Sequence, residues 1–292
     1  MVIHSRLTNV VPVVFVLLWS TGFIGAKYAL PYIEPFFLLC IRMSITVCLF
    51  FALCLVFKVQ WPNLSQIRHQ MVSGALIHGF YLGAVFAAIK WDMPAGITAI
   101  VVGLQPILTA FIAWMWMGNR LTATQWLGLM IGFIGMTAVV VLTSCDGSYE
   151  FNWLALSASL VALVSISVGT LYQKRFGGGV SLLAGSFWQY VSTAILMAVL
   201  AWSFETREVV WHPQLIMALL WLIFGLSLSA VLLLMYMIRE GEATKVVSYF
   251  YLVAPVVSVE AWLLFGEKLT LWSIVAMVIT VFGVYLVVKK TK

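Results

Sequence analysis

Ten runs of about 20 mostly apolar residues constrain this chain more than any other feature, because that is the length a helix needs to cross a hydrocarbon core. They lie near 10–29, 36–57, 70–90, 95–117, 122–142, 152–172, 180–204, 213–238, 244–265 and 270–288. The links between them carry turn and charge signals, such as Pro31–Glu34–Pro35, Asp92–Pro94, Asp146–Gly147 and Gly177–Gly179. Most links are only a few residues long, so consecutive helices run antiparallel. The 292 residues include 16 Lys and Arg and 10 Asp and Glu, 9% charged in all. A soluble domain carries roughly 25%. This chain cannot clothe a water-soluble surface, and it is too apolar to be disordered. The first run could also be a signal peptide with Arg6 as its flank, but Val10 to Ala26 is long for such a core. The reading is an all-α polytopic membrane protein with ten transmembrane helices.

Charge sets the expected orientation. The N-terminus, alternate loops and C-terminus hold Arg6, Lys58, Arg68, Arg120, Lys174, Arg175, Arg239, Lys245, Lys289, Lys290 and Lys292. The opposite side holds only Lys27, Lys90, Arg207 and Lys268, while Glu34, Asp92, Asp146, Glu150, Glu205, Glu208 and Glu267 gather there. With short loops, this predicts both termini in the cytoplasm of a bacterial inner membrane. It also accounts for the +6 net charge without nucleic acid: no basic patch or Arg/Lys helix is present.

The second half echoes the first. Gly118–Asn119–Arg120–Leu121–Thr122 and Gly266–Glu267–Lys268–Leu269–Thr270 close similar apolar runs that begin at Ala95 and Ala243. Ser20, Gly22 and Lys27 match Ser167, Gly169 and Lys174, and Gly135 matches Gly283. The expected units are residues 1–146 and 147–292. Five spans per unit means that the second enters from the opposite face, so the repeats are inverted. Inverted repeats are an architecture of secondary transporters, with a site near the midplane between them.

On these residues the chain resembles the drug/metabolite transporter superfamily, EamA-like branch. The resemblance is carried by Trp19–Ser20–Thr21–Gly22–Phe23, by Arg42, by Met93–Pro94–Ala95–Gly96 and by the two Gly-x-basic-Leu-Thr turns. It implies ten helices in two five-helix repeats and transport of amino acids or other small metabolites, most often export. Importers occur in the same fold.

Several residues are candidates for that work. Pro106 and Pro255 lie deep in the fourth and ninth runs, where a proline releases the carbonyl four residues earlier, here Val102 and Tyr251. Freed backbone at that depth survives only in protein or along a cavity, so both are candidate hinges, against the plainer reading of packing kinks. Arg42 and Glu260 are the ionisable residues left well inside spans. Their similar depths suggest a gating pair, and Glu260 is a candidate proton carrier. Arg42 could instead bind a substrate carboxylate or reach the head groups. Trp19, Ser20, His78, Tyr81, Trp188, Gln189 and Tyr249 form a mid-span polar and aromatic set suited to lining a small-solute cavity. Tyr249 and Glu260, eleven residues apart, would share a helix face. The competing reading of each aromatic is ordinary packing, and of His78 a satisfied core histidine.

Gly128, Gly132 and Gly135, with Gly79 and Gly83, predict close helix contacts, and the faces of Gly135 and Gly283 are read as a homodimer surface. Cys40, Cys48, Cys54 and Cys145 have no metal spacing and read as inert buried thiols. No cofactor is expected, and no Walker A sequence points to ATP. A membrane-embedded enzyme or a scaffold is the competing class, but no clustered acids or histidine pairs support chemistry.

Overall fold

The computed structural model describes residues 2–91, 93, 98, 101–118, 121–144, 152–241, 243–265 and 270–289. Among these residues the chain forms ten helical segments. Helix α1 is Val2–Ala29 and α2 is Pro35–Val56. Helix α3 runs over Leu64–Gly74, widens to a π-helix over Ala75–Phe80 and resumes over Tyr81–Lys90. Helices α4, α5, α6 and α7 are Gln105–Met117, Ala123–Ser144, Trp153–Phe176 and Leu182–Phe204. Helix α8 covers Pro213–Trp221, a π-helix over Leu222–Ala230, then Val231–Glu240. Helix α9 covers Ala243–Ser248, a 3₁₀ turn over Tyr249–Leu252, then Val253–Phe265, and α10 is Leu271–Val288.

The helices start where short polar side chains satisfy their free N–H groups. Asn63 and Gln66 form a reciprocal capping box at α3, and Asn152 accepts from Leu154 and Ala155 at α6. Ser181 and Thr270 cap α7 and α10. Gly118 ends α4 in the left-handed region at φ 69°, which a residue without Cβ adopts cheaply.

Among the described residues eight segments are long and apolar enough to cross a membrane, and α1 adds a shorter apolar stretch, Val10–Gly22. Side chains such as Leu17, Leu55, Leu127, Val199, Leu263 and Val278 point outward and exposed. Apolar cover on that scale suits a lipid bilayer rather than water. The first part of the fourth expected run lies mostly outside the described residues, as do Pro94, Ala95, Gly96, Asn119, Arg120, residues 266–269 and Cys145. Cys40 and Cys54 are buried free thiols; Cys48 is exposed rather than buried, because its helix turns it outward.

The most extensive helix pairing is α5 with α10, and α2 is also extensively paired with α7. Each joins a helix to its counterpart in the other half, as a pseudo-two-fold relation demands. The π-helical segments obey the same relation, each lying in the third helix of its half. The repeated glycines of α1 and α6 meet them crosswise: Gly22 faces Leu226, and Gly169 faces Leu76 and Ile77. A shared sequence feature thus does the same packing work twice.

The seam between α5 and α10 is built from glycine. A Cβ at Gly283 would fall on the Gly132 backbone, and one at Gly135 on Thr280. This corrects the expected dimer surface at Gly135 and Gly283. Both are consumed by contact within the chain, because small residues let two helix backbones touch.

Candidate functional site

The faces of the bundle are named here by their loop charges: acidic for the Glu34 and Glu205 end, basic for the Lys174 end. Arg42 lies seven residues past the start of α2 at the acidic face, about 10 Å deep at 1.5 Å per residue. Gln189 lies equally far past the start of α7 at the basic face. His78 and Ser227 lie in the π-helical segments, half-way along α3 and α8. A π-turn inserts a residue into the helix and re-aims the side chains around it.

These groups form one buried polar chain through the middle of the bundle. The Arg42 Nε–H donates to Ser227 Oγ at 2.8 Å. The Tyr190 hydroxyl donates to the Ser227 carbonyl at 3.1 Å. The His78 ring stacks on Tyr190 with centroids 5.1 Å apart. The Gln189 amide donates to Gln70 Oε1 at 2.7 Å and to Gln173 Oε1 at 3.2 Å. Arg42 is 6% exposed, His78 2% and Gln189 1%. His78 Nε2 and Gln189 Oε1 have no partner among the described residues. A narrow crevice with room for about one water reaches Gln189 past Gln70, Gln173 and Gly185. The backbones of α3 and α7 approach closely at the same level, where a Cβ on Gly74 would strike Gln189.

Glu260 lies apart from this chain. Its Oε1 accepts from Ser20 at 2.7 Å, and its Oε2 is buried without a partner among the described residues. The expected pair with Arg42 is therefore corrected: no ion pair joins them among the described residues, and each is held by a serine of another helix. A neutral hydroxyl satisfies one atom of each charge, and each of these bonds crosses from one half to the other.

Trp19, the residue before Ser20, packs on Phe15 one turn earlier and edge-on to Phe250 of α9. Tyr81 is buried in the central core beside the π segment. Trp188, next to Gln189, has a buried indole N–H without a partner among the described residues. Tyr249 opens the 3₁₀ turn of α9. That turn winds at three residues rather than 3.6, so Tyr249 does not keep the face with Glu260 that an unbroken helix would give.

Both prolines follow a break in regular α-helix, Pro106 after a turn and Pro255 inside α9. Pro106 stands in the first turn of Gln105–Met117, after a turn in which the Leu104 N–H reaches the Val101 carbonyl. Pro255 follows the 3₁₀ turn as the third residue of Val253–Phe265. Pro106 starts a helix, where its missing N–H costs nothing, whereas Pro255 lies within α9 and interrupts its α-helical bonding at the 3₁₀ turn. In each case the interruption sits in the residues before the proline.

At the acidic face a cluster that sequence reasoning missed ties α1–α2 to α7–α8. Glu205 receives the Phe36 and Phe37 N–H groups, each at 2.7 Å, and so caps α2 from another helix. Glu34 receives the Thr206 hydroxyl and the Arg207 N–H, both at 2.9 Å, and Lys90 Nζ stands 3.5 Å away. A β-bridge joins Ile33 to Val209, and Tyr32 stacks on His212. Burial raises the Glu205 carboxyl above its usual value, the two backbone N–H groups only partly opposing it. At Glu34 burial pulls the same way but is outweighed by the Arg207 and Thr206 hydrogen bonds and Lys90, so its pKa is lowered. The acids were visible in the sequence as loop charges; their exchange across the loops was not. Among the described residues no group of acids, histidines and cysteines is arranged to hold a metal.

The comparisons with known proteins agree with this architecture. A solved crystal structure covering 95% of this chain superposes with a TM-score of 0.77 at 20% identity, which speaks for the fold alone. The uncharacterized transporter YvbV of Bacillus subtilis (strain 168) is 27% identical over 290 residues, 95% of this chain and 90% of its own. The uncharacterized inner membrane transporter YedA of Escherichia coli (strain K12) is 24% identical over 272 residues, 93% and 87% of the two chains. A probable amino-acid metabolite efflux pump of the same organism is 25% identical over 171 residues, 59% of this chain and 54% of its own. The model of the EamA-like transporter family matches residues 8–141 and again 153–289. A helical, polytopic membrane chain matched twice over nearly its whole length belongs to the EamA-like transporter family.

Proposed function

We propose that this protein is a secondary transporter that exports small metabolites, amino acids or their relatives, across a bacterial inner membrane, with both termini in the cytoplasm. The observation that carries the reading is the polar chain Arg42–Ser227–Tyr190–His78–Gln189, buried between two pseudo-symmetric halves. Buried polar groups at membrane depth are costly and mark solute paths. Residues 1–146 and 147–292 would be the two units that rock against each other around it. The breaks before Pro106 and Pro255 supply compliant backbone for that motion, with Trp19, Tyr81, Trp188 and Tyr249 as apolar walls.

Glu260 is the group for proton coupling. It has one oxygen on Ser20 and one without a partner among the described residues, so it can take a proton without losing its serine. Export is favoured by the kinship to an amino-acid metabolite efflux pump, whose name describes that protein. The test is counterflow of labelled amino acids and related metabolites in liposomes holding the purified protein, with and without a pH gradient. Accumulation driven by unlabelled solute supports transport. Its absence across the panel would leave the competing reading, an embedded enzyme or scaffold, in the lead.

A further inference from the structure

We infer that Arg42 is the anchor for a carboxylate on the transported solute, an assignment that rests on the transport reading above. A guanidinium offers five N–H donors in a planar fork. Arg42 commits one, to Ser227, and no acid stands within ion-pair distance among the described residues. A buried cation without a counter-charge is expensive and calls for an anion. Its surroundings are equally under-satisfied: His78 Nε2 and Gln189 Oε1, both on nearly fully buried side chains, lack partners. The large majority of buried side-chain polar atoms in natural interiors are satisfied. A buried charge with open donors, beside a ring and an amide with open atoms, marks a place where a ligand completes the bonding.

The charge count selects the class of anion. Arg42 brings one positive charge, and Ser227, Tyr190 and Gln189 bring none. A monocarboxylate balances that charge and matches the fork with two parallel hydrogen bonds. A phosphate dianion would leave net negative charge inside the membrane. The His78 ring stacks on Tyr190 and Gln189 is Tyr190's neighbour in the chain, so both are candidates to address the polar remainder of the solute.

The experiment pairs each of a set of small carboxylic acids (amino, hydroxy and 2-oxo acids) with its own carboxamide, and adds phosphate monoesters of similar size. Each compound is tested for counterflow in liposomes holding wild type, Arg42→Gln or Arg42→Lys, with the folding of every variant checked by thermal unfolding. The expectation is an acid preferred over its amide by about tenfold or more. In Arg42→Gln the apparent affinity for the acid falls by about 30-fold or more and the acid–amide preference collapses, while Arg42→Lys keeps part of both. Amides moving as well as acids, or a preference that survives in Arg42→Gln, overturns the assignment, and so do phosphate esters outrunning carboxylates. The wild-type comparison of acid with amide decides even if both variants misfold. If only neutral or cationic solutes move, the carboxylate anchor fails and transport stands. If nothing moves, the transport reading fails and takes the anchor with it.

Discussion

The seam of α5 and α10 and the polar chain between α2, α3, α7 and α8 both join one half of the molecule to the other, yet they are opposite in kind. The seam brings backbone against backbone through Gly128, Gly132, Gly135 and Gly283. Its buried hydroxyl at Thr280 turns back to the Ala276 carbonyl of its own helix, while the hydroxyls of Thr137 and of Tyr251, which packs on Gly132, have no partner among the described residues. The polar chain keeps a guanidinium with one bond, an imidazole and an amide with open atoms, and two π-helical turns. Backbone packed on backbone has one good arrangement, whereas a charge with open donors on irregular helix has several of similar energy. The difference teaches that the seam is built to hold and the centre to change partners.

The strongest way to break the comparison is to widen the seam. Gly283→Leu would drive a branched side chain into the Gly132 backbone, which cannot yield as a side-chain tip would. Overpacking of this kind costs about 1–3 kcal/mol or more. The expected outcome is loss of the folded protein in detergent, or a melting temperature lower by several degrees or more. Gly178→Ala is the control: a Cβ there meets nothing within 4 Å, and its melting curve should overlay the wild type. A stable, active Gly283→Leu protein would show that the seam is not what holds the halves.

The next effect falls on activity rather than on the fold. Ser227→Ala removes the one bond that orients Arg42, a charge-assisted hydrogen bond worth about 1.5–3 kcal/mol. Transport should weaken by about tenfold or more, read as a raised KM in proteoliposome uptake. Melting should move far less than in the seam variant. If Ser227→Ala unfolded the protein as Gly283→Leu does, the centre would be scaffold after all. Glu260→Gln keeps an acceptor for Ser20 but cannot take up a proton. Uptake should then lose its response to an imposed pH gradient while exchange at equal pH persists.

How much of this was legible beforehand follows the same division. Helix positions and the repeat are written in runs of apolar residues and in matched Gly22 and Gly169, because bilayer thickness and close packing act on composition directly. Arg42, His78 and Gln189 stood out as polar residues at mid-span for the same reason. Their partners did not. Ser227 became a ligand of Arg42 through a π-helical turn, which has no sequence signal as clear as a proline or a cap. The supposed Arg42–Glu260 pair failed because equal depth along two helices says nothing about azimuth. The Gly135 and Gly283 faces were recognised as packing surfaces, but a small-residue face does not reveal whether its partner is another chain or the far end of the same one.

The acidic-face cluster tests which side of the comparison the loops belong to, and its effect is the smallest. Its two carboxyls titrate in opposite senses. Glu205 is raised above the usual 4.5 by burial, so its contribution to stability is complete below about pH 4.5 and is lost as the pH rises through the raised value. Glu34 is lowered because hydrogen bonds and Lys90 outweigh burial, so its contribution is present above about pH 4.5 and is lost as the pH falls through the lowered value. Melting curves of wild type, Glu205→Gln and Glu34→Gln across about pH 3.5 to 7.5 separate the two. The difference between wild type and Glu205→Gln should change above pH 4.5, and that for Glu34→Gln below it. Two flat differences would mean that the cluster is loose and carries no linkage. Two changes of the expected sign would make it a pH-sensitive clasp between the halves, whose two carboxyls respond to a proton in opposite senses.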